Sequence, residues 1–200
     1  MALLNREHVE LLPIHVNYGQ LAEAREWFAL RRFCTMVGLL RPVKVNVSGL
    51  GLIPSGLTRR SRRWRSDPFF PARNLILAAI GGSVGHSRGY RTIALGLVAN
   101  TLYPDATKEF VRVTGDAISE SLGARIQLIA PLLRFSKREV VDLGKAAHAP
   151  LSFTYSCQLG APRPCRSCSS CRDRMAALNE PPIDEMKTHP SIRRTERGHG

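Results

Sequence analysis

Apolar and polar positions alternate with two different periods along the chain, and the alternation lays out its elements. Glu10 to Val16 (Glu-Leu-Leu-Pro-Ile-His-Val) is a short apolar run that predicts a buried strand, closed by the turn Asn17-Tyr18-Gly19-Gln20. Ala24, Trp27, Phe28, Leu30, Phe33 and Val37 recur at helical spacing and predict a helix from about Ala22 to Val37, with Gly38 as its end. In Val43 to Val47, β-branched residues alternate with Lys44 and Asn46, the mark of a second strand. A polar, irregular stretch, Ser48 to Ala72, leads to a helix from Leu75 to about Ser83. Arg91 to Leu97 and Arg125 to Ala130 read as third and fourth strands, separated by an amphipathic helix, Thr107 to Leu122. Ser136, with Glu139 three residues on, is a capping box opening a helix that runs to about Ala147.

Strand alternating with helix predicts an α/β fold with a parallel sheet and crossover helices. Ligands of such sheets sit beyond the carboxyl ends of the strands. Those ends are Asn17 to Gln20, Ser48 to Thr58, Gly96 to Asp105, and Pro131 to Lys137, and the less common residue combinations gather there. Ile80 to Ser87 (Ile-Gly-Gly-Ser-Val-Gly-His-Ser) looks like a phosphate-binding loop, but it follows a helix and precedes a strand, where such a loop needs the reverse. It reads as a frayed helix end. His15, His86 and His148 have no partners at metal or catalytic spacing and read as structural, and Cys34 reads as a core residue.

The chain has 200 residues, enough for one domain with a proper core, and its longest apolar run, Leu75 to Ile80, is far short of a membrane span. A soluble, cytoplasmic protein is expected. The formal net charge of +13 asks for an anionic partner without saying which. Arg59 to Arg65 concentrates part of it and could grip phosphates or be a solvated loop. No nucleic-acid motif accompanies the charge, so composition does not favour nucleic acid as a partner. From Pro181 the sequence turns polar and proline-bearing, and residues 181–200 read as a mobile tail.

The strongest chemical signal is Cys157-Gln-Leu-Gly-Ala-Pro-Arg-Pro-Cys165-Arg-Ser-Cys168-Ser-Ser-Cys171, which holds four of the five cysteines. Two-residue spacers turn tightly enough for neighbouring thiolates to share one Zn²⁺, and a fourth thiolate leaves no position for substrate. A structural zinc is the leading reading; an Fe–S cluster, reduced cysteines or two disulfides are the alternatives.

With these residues laid out, the chain resembles the 7-cyano-7-deazaguanine synthase (QueC) family over about residues 1 to 178. The resemblance rests on Thr154-Tyr-Ser-Cys157 with Pro164-Cys165-x-x-Cys168-x-x-Cys171-Arg172, and on Asn17-Tyr-Gly-Gln20, Ser55-Gly-Leu-Thr58 and Phe70-Pro-Ala-Arg73-Asn74. Gly96 with Tyr103-Pro-Asp105 and Glu109-Phe110, then Pro131-Leu with Ser136-Lys137, follow in the same order. It implies a doubly wound parallel sheet of the adenine-nucleotide α-hydrolase-like type, with the PP-loop chemistry of an ATP pyrophosphatase and the Cys₄ zinc loop at its C-terminal end. The implied enzyme is a ligase using ATP and Mg²⁺. It adenylates the carboxylate of 7-carboxy-7-deazaguanine, lets ammonia displace AMP, and dehydrates the amide to the nitrile after a second activation.

The resemblance also distributes roles. Arg73 and Lys137 would contact phosphate or substrate, and Asp105 joins them as a candidate catalytic residue. Asn17, Tyr18, Gly19, Gln20 and Gly96 would line the nucleotide pocket, with Ser55, Thr58 and Asn74 as further binding positions and Tyr103 on the substrate side. Small molecules are the implied partners, with a homodimer allowed. Two other functions compete: a relative that conjugates a deazapurine carboxylate to another partner, and a zinc-bearing nucleic-acid-binding module.

The sequence departs from the family in two places. The family opens with a first strand and a Ser-Gly-Gly-x-Asp-Ser loop cradling the pyrophosphate, whereas Met1-Ala-Leu-Leu4 resembles the middle of the helix that follows that loop. The expectation is therefore an N-terminally truncated domain, residues 1–180 including zinc loop 157–171, with a gap between two halves of its sheet. Such a chain is expected not to release AMP and pyrophosphate by itself, whether it is a truncated synthase or a silent relative; the intact motifs favour truncation. The second departure is Arg166, where the family has glycine. A left-handed backbone there would cost a non-glycine residue roughly 1–2 kcal/mol.

Overall fold

The structure is a computed structural model and describes residues 10–60, 68–99 and 103–179. Most of the basic run, the start of the chain and the expected tail lie outside the described residues. Strand β1 (Ile14–Asn17) leads to helix α1 (Glu23–Met36) and strand β2 (Val43–Asn46), and a 3₁₀ turn covers Ser48–Leu52. Helix α2 (Arg73–His86), strand β3 (Thr92–Ala94), helix α3 (Lys108–Leu122) and strand β4 (Gln127–Ile129) follow. Helix α4 (Lys137–Ala146), a 3₁₀ turn (Leu151–Phe153) and helix α5 (Ser169–Leu178) complete the described elements.

All strand pairing is parallel, as the strand–helix alternation predicts. In place of one continuous sheet, the described residues form two two-stranded sheets. β1 pairs with β2 in the register Ile14↔Val43 to Asn17↔Asn46, and β3 with β4 in the register Thr92↔Gln127 to Ala94↔Ile129. Each sheet has its own core. Ala78, Ile93, Ile118, Ile126 and Leu128 pack over β3 and β4, while Tyr18, Leu57 and Phe70 pack beside Val47, Leu50, Ile53 and Ile76 on the other side. Helix α2 serves both, through Ala78 in the first and Ile76 in the second. Burial of side chains such as Ile118 and Phe70 contributes about 1.5–3 kcal/mol each.

The strands are shorter than the apolar runs suggest. Residues 10–13 lie outside β1, and only Thr92–Ala94 and Gln127–Ile129 of the later runs form a ladder. Apolarity marks burial, whereas a ladder also needs a hydrogen-bonded neighbour over the same length. Helix ends were more legible. Thr107 Oγ1 accepts from Phe110 N–H at 3.0 Å, and Ser136 and Glu139 form the reciprocal capping box. Gly38, at φ +69°, ends α1.

The Ile80–Ser87 stretch corrects the frayed-end reading, since α2 continues in regular form to His86. Its glycines are sites of close approach. A Cβ on Gly82 would lie 2.7 Å from Ile118 Cγ2, and one on Gly81 or Gly85 would press on Ile93. Helix α5 carries no periodic apolar signal and was not anticipated. Cys34 is buried, as expected of a core residue. His15 is also buried and structural: it lies 3.4 Å from Glu23 and packs against Trp27. No helix among the described residues is long and apolar enough to cross a membrane.

Candidate metal centre and active site

The four clustered cysteines converge from a loop and a helix start. Cys157 follows the 3₁₀ turn at Leu151–Phe153, Cys168 is the N-cap of α5, and Cys171 lies in its first turn. Their Sγ atoms all lie within 4.8 Å of one another, and Cys165 Sγ is 3.9 Å from Cys171 Sγ. A tetrahedron with bonds of about 2.3 Å has edges of about 3.8 Å, so the separation fits four thiolates around one Zn²⁺. It is about twice a disulfide bond, and all four cysteines are free. Arg166 has φ +57°, a left-handed backbone conformation.

Electrostatics in the loop call for a cation. Burial opposes ionisation of Cys165, but hydrogen bonds from the Ser167 side chain and the Cys168 and Ser167 backbone outweigh it and bring its pKa down to about 6. Cys168 N–H lies 3.3 Å from Cys165 Sγ, and Cys165 N–H 3.4 Å from Cys157 Sγ. Burial, with the neighbouring thiols, pushes Cys171 well up, and burial also raises Cys168. Together the thiols resist carrying four negative charges unless a metal compensates them. Tyr155, raised first by burial and then by the Cys157 charge, stays neutral and donates to the Ala161 carbonyl at 2.8 Å. Gln158 is buried beside the cluster and clamps the loop to α5, its Nε2 donating to Ser169 Oγ and Ser170 Oγ at 3.0 and 3.1 Å.

This loop is docked on the end of β1. Gly160 has φ +65°, and a Cβ there would fall 2.0 Å from Leu21 O and 2.8 Å from Leu21 C. Leu21 N–H in turn donates to Leu57 O at 2.8 Å. The Asn17–Gln20 turn, the Ser55–Thr58 turn and the four-cysteine loop thereby meet at one residue. Arg60 Nη2 adds a longer contact to Leu159 O at 3.5 Å.

Within the first turn the side chains hold the backbone. Asn17 Oδ1 accepts from Gly19 N–H at 3.0 Å, and Gln20 Oε1 accepts from Tyr18 N–H at 2.9 Å. Gln20 Nε2 donates to Val16 O and to Glu26 Oε2. Gly19, at φ +88°, backs onto Gly51, whose Cα would stand 2.7 Å from an added Cβ. Ser55 and Thr58 are equally committed. Ser55 Oγ accepts from Leu57 N–H, Thr58 Oγ1 accepts from Ser55 N–H, and Thr58 Oγ1 donates to Ile53 O at 2.7 Å.

A second group gathers around the start of α2. Ala72, at φ +54°, is an N-cap without a side-chain acceptor, and Asp105 supplies one from a distant loop. Asp105 Oδ2 accepts from Asn74 N–H at 3.2 Å, and Asn74 Nδ2 donates to Asp105 O at 3.0 Å. The preceding residue, Arg73, lies near enough to the buried Tyr18 phenol to act on it electrostatically. Burial pushes that phenol up to about 12, Glu26 adds to the rise, and Arg73 opposes it. Tyr18 packs on Phe70 at 5.0 Å between centroids, and Tyr103 stacks on Phe69 at 5.7 Å. Tyr18, Arg73, Asn74, Tyr103 and Asp105 therefore belong to one neighbourhood.

Lys137 stands apart from that group, ion-paired with Asp173 of α5. It links the start of α4 to the helix that carries Cys171. Gly96 has open space around its α-carbon, and Ala99 N–H donates to Phe135 O at 2.9 Å, tying the loops after β3 and β4 together. Phe69, Gln158 and Asp173 were not singled out from sequence. Gln158 lay inside the cysteine window, but nothing local marked the other two.

A model of the family described as queuosine biosynthesis protein QueC matches residues 1–181. Among similar curated proteins is 7-cyano-7-deazaguanine synthase 1 of Desulfitobacterium hafniense (strain Y51), 29% identical over an alignment of 185 residues that covers 88% of this chain and 83% of that protein. The 7-cyano-7-deazaguanine synthase of Chlorobaculum tepidum is 29% identical over 198 residues, 92% of this chain and 87% of its own. That of Campylobacter concisus (strain 13826) is 26% identical over 186 residues, covering 86% and 84%.

Proposed function

Since the chain belongs to the QueC family, we propose that it works as a carbon–nitrogen ligase of queuosine biosynthesis, turning 7-carboxy-7-deazaguanine and ammonia into 7-cyano-7-deazaguanine. The observation that carries this reading is the convergence at Leu21, where the zinc loop and two polar turns meet beyond the carboxyl ends of β1 and β2. ATP, with Mg²⁺, supplies a leaving group to a carboxylate that is otherwise a poor electrophile.

The residues of this chain bind and orient. Arg73, half-buried beside Tyr18, offers a guanidinium fork to a phosphate or carboxylate oxygen. Asp105 acts on Arg73 indirectly: by capping α2 in trans it fixes the first helical turn, so it is a positioning residue. Tyr103, stacked on Phe69, extends an aromatic surface suited to a flat deazapurine ring. Lys137 provides a second cation, released from Asp173 when substrate charge replaces that partner. Asn17, Gly19, Gln20, Ser55 and Thr58 shape the nucleotide side through backbone geometry, since their side chains are used within the turns. Cys157, Cys165, Cys168 and Cys171 would hold a zinc ion, which would staple the loop to α5.

In this reading residues 1–180 form one domain. The β1–β2 and β3–β4 pairs are halves of one doubly wound sheet, a relation supported by the packing of α2 into both cores. The test is product formation by the protein as produced in its host, with 7-carboxy-7-deazaguanine, ATP, Mg²⁺ and ammonium, read by mass spectrometry of the nitrile. Arg73→Ala and Lys137→Ala should each abolish turnover with zinc content intact. Undiminished turnover in either variant removes that residue from the site.

A further inference from the structure

The amino ends of β3 and β4 carry a second concavity, on the side of the strands away from the candidate site. Its volume is about 810 Å³, and it lies between α3 and β4. Ligand-binding clefts span about 300–1,000 Å³, so the space is large enough for a small organic or inorganic ligand. Its base is firm. A Cβ on Gly115 would lie 3.2 Å from Leu128 Cβ, and Ser119 Oγ accepts from Ile126 N–H at 3.0 Å, so helix and strand are pinned together.

Three arginines and one aspartate line this cavity. Arg112 is neutralised, its Nη1 lying 2.8 Å from Asp116 and its Nη2 2.6 Å from Glu109. The other two are not. Arg91 Nη1 lies 2.6 Å from His86 Nδ1, and an imidazole brings no negative charge to offset the guanidinium. Arg125 has no ion pair or hydrogen bond among the described residues. The two arginines sit on neighbouring chain segments, since Gln127 N–H donates to Arg91 O at 2.8 Å. At this mouth two cations without acidic partners among the described residues line one concavity, and an anion between them would compensate both.

Guanidinium forks match phosphate oxygens in pairs, and the exposed Thr92 hydroxyl and Gln127 amide add donors on the same lining. We propose that this cavity binds a small multivalent phosphate anion between Arg91 and Arg125, as a site separate from the one beyond the carboxyl ends of the strands. The proposal stands on these contacts and does not depend on the ligase reading.

The experiment titrates inorganic pyrophosphate into zinc-loaded protein by calorimetry at fixed ionic strength, with a single-stranded oligonucleotide titrated in parallel. A saturable pyrophosphate site is expected, weakened at least tenfold in both Arg91→Gln and Arg125→Gln. Zinc content and unfolding midpoint should be unchanged in both variants. Arg31→Gln, which removes an exposed cation from α1, should bind as the parent does. Non-saturable binding, equal binding by parent and both cavity variants, or preferential binding of the oligonucleotide would each overturn the proposal.

Discussion

Replacing Gly160 with alanine isolates the contact that seats the zinc loop on the rest of the protein. Two penalties act at this position. At φ +65° an alanine pays the left-handed backbone cost, about 1 kcal/mol. Its Cβ would also fall 2.0 Å from Leu21 O and 2.8 Å from Leu21 C. Those are backbone atoms, so no rotamer change clears the clash, and the loop must shift at an overpacking cost of roughly 1–3 kcal/mol. The sum is about 2–4 kcal/mol. Gly38→Ala provides the comparison, because Gly38 has φ +69° but nothing within 4 Å of an added Cβ. It should lose only the backbone share, about 1 kcal/mol. Urea unfolding of zinc-loaded protein measures both, and chelator-released zinc checks that the metal stays bound. A Gly160→Ala loss no larger than that of Gly38→Ala would show that the zinc loop is not seated on Leu21.

Other outcomes follow from the same geometry. Arg166→Gly should stabilise the zinc-loaded protein by about 0.5–1 kcal/mol, since the residue sits at φ +57°; a lower unfolding midpoint would show that the arginine side chain outweighs its backbone strain. Asp105→Ala should lower stability by about 1–2 kcal/mol through loss of the α2 cap, whereas an unchanged midpoint would limit Asp105 to the chemistry. Zinc affinity should rise with pH. Cys165 ionises near 6, while Cys168 and Cys171 are raised and still hold protons at neutral pH. Binding must therefore expel at least two protons, so affinity gains about 100-fold per pH unit near neutrality; a flat profile in chelator competition would exclude these two cysteines as ligands.

The sequence by itself determined the features whose cause is local. Spacing within Cys157–Cys171 was enough to expect the four thiols to converge, because a short spacer limits where neighbouring sulfurs can go. Ser136 with Glu139, and Gly38, marked helix ends, because caps answer backbone groups within one turn. Alternation of strand and helix was enough for parallel pairing. Tertiary structure alone decided the rest. The glycines of Ile80–Ser87 look like a loop until Ile118 and Ile93 are seen packed against them. Nothing local to Asp105 shows that it reaches the uncapped start of α2, 31 residues away in sequence. Nor could Gly160 reveal that it faces Leu21, or Lys137 that it meets Asp173. Each of these contacts joins segments far apart in sequence, and a chain's local pattern records what a residue prefers, not what the fold brings against it.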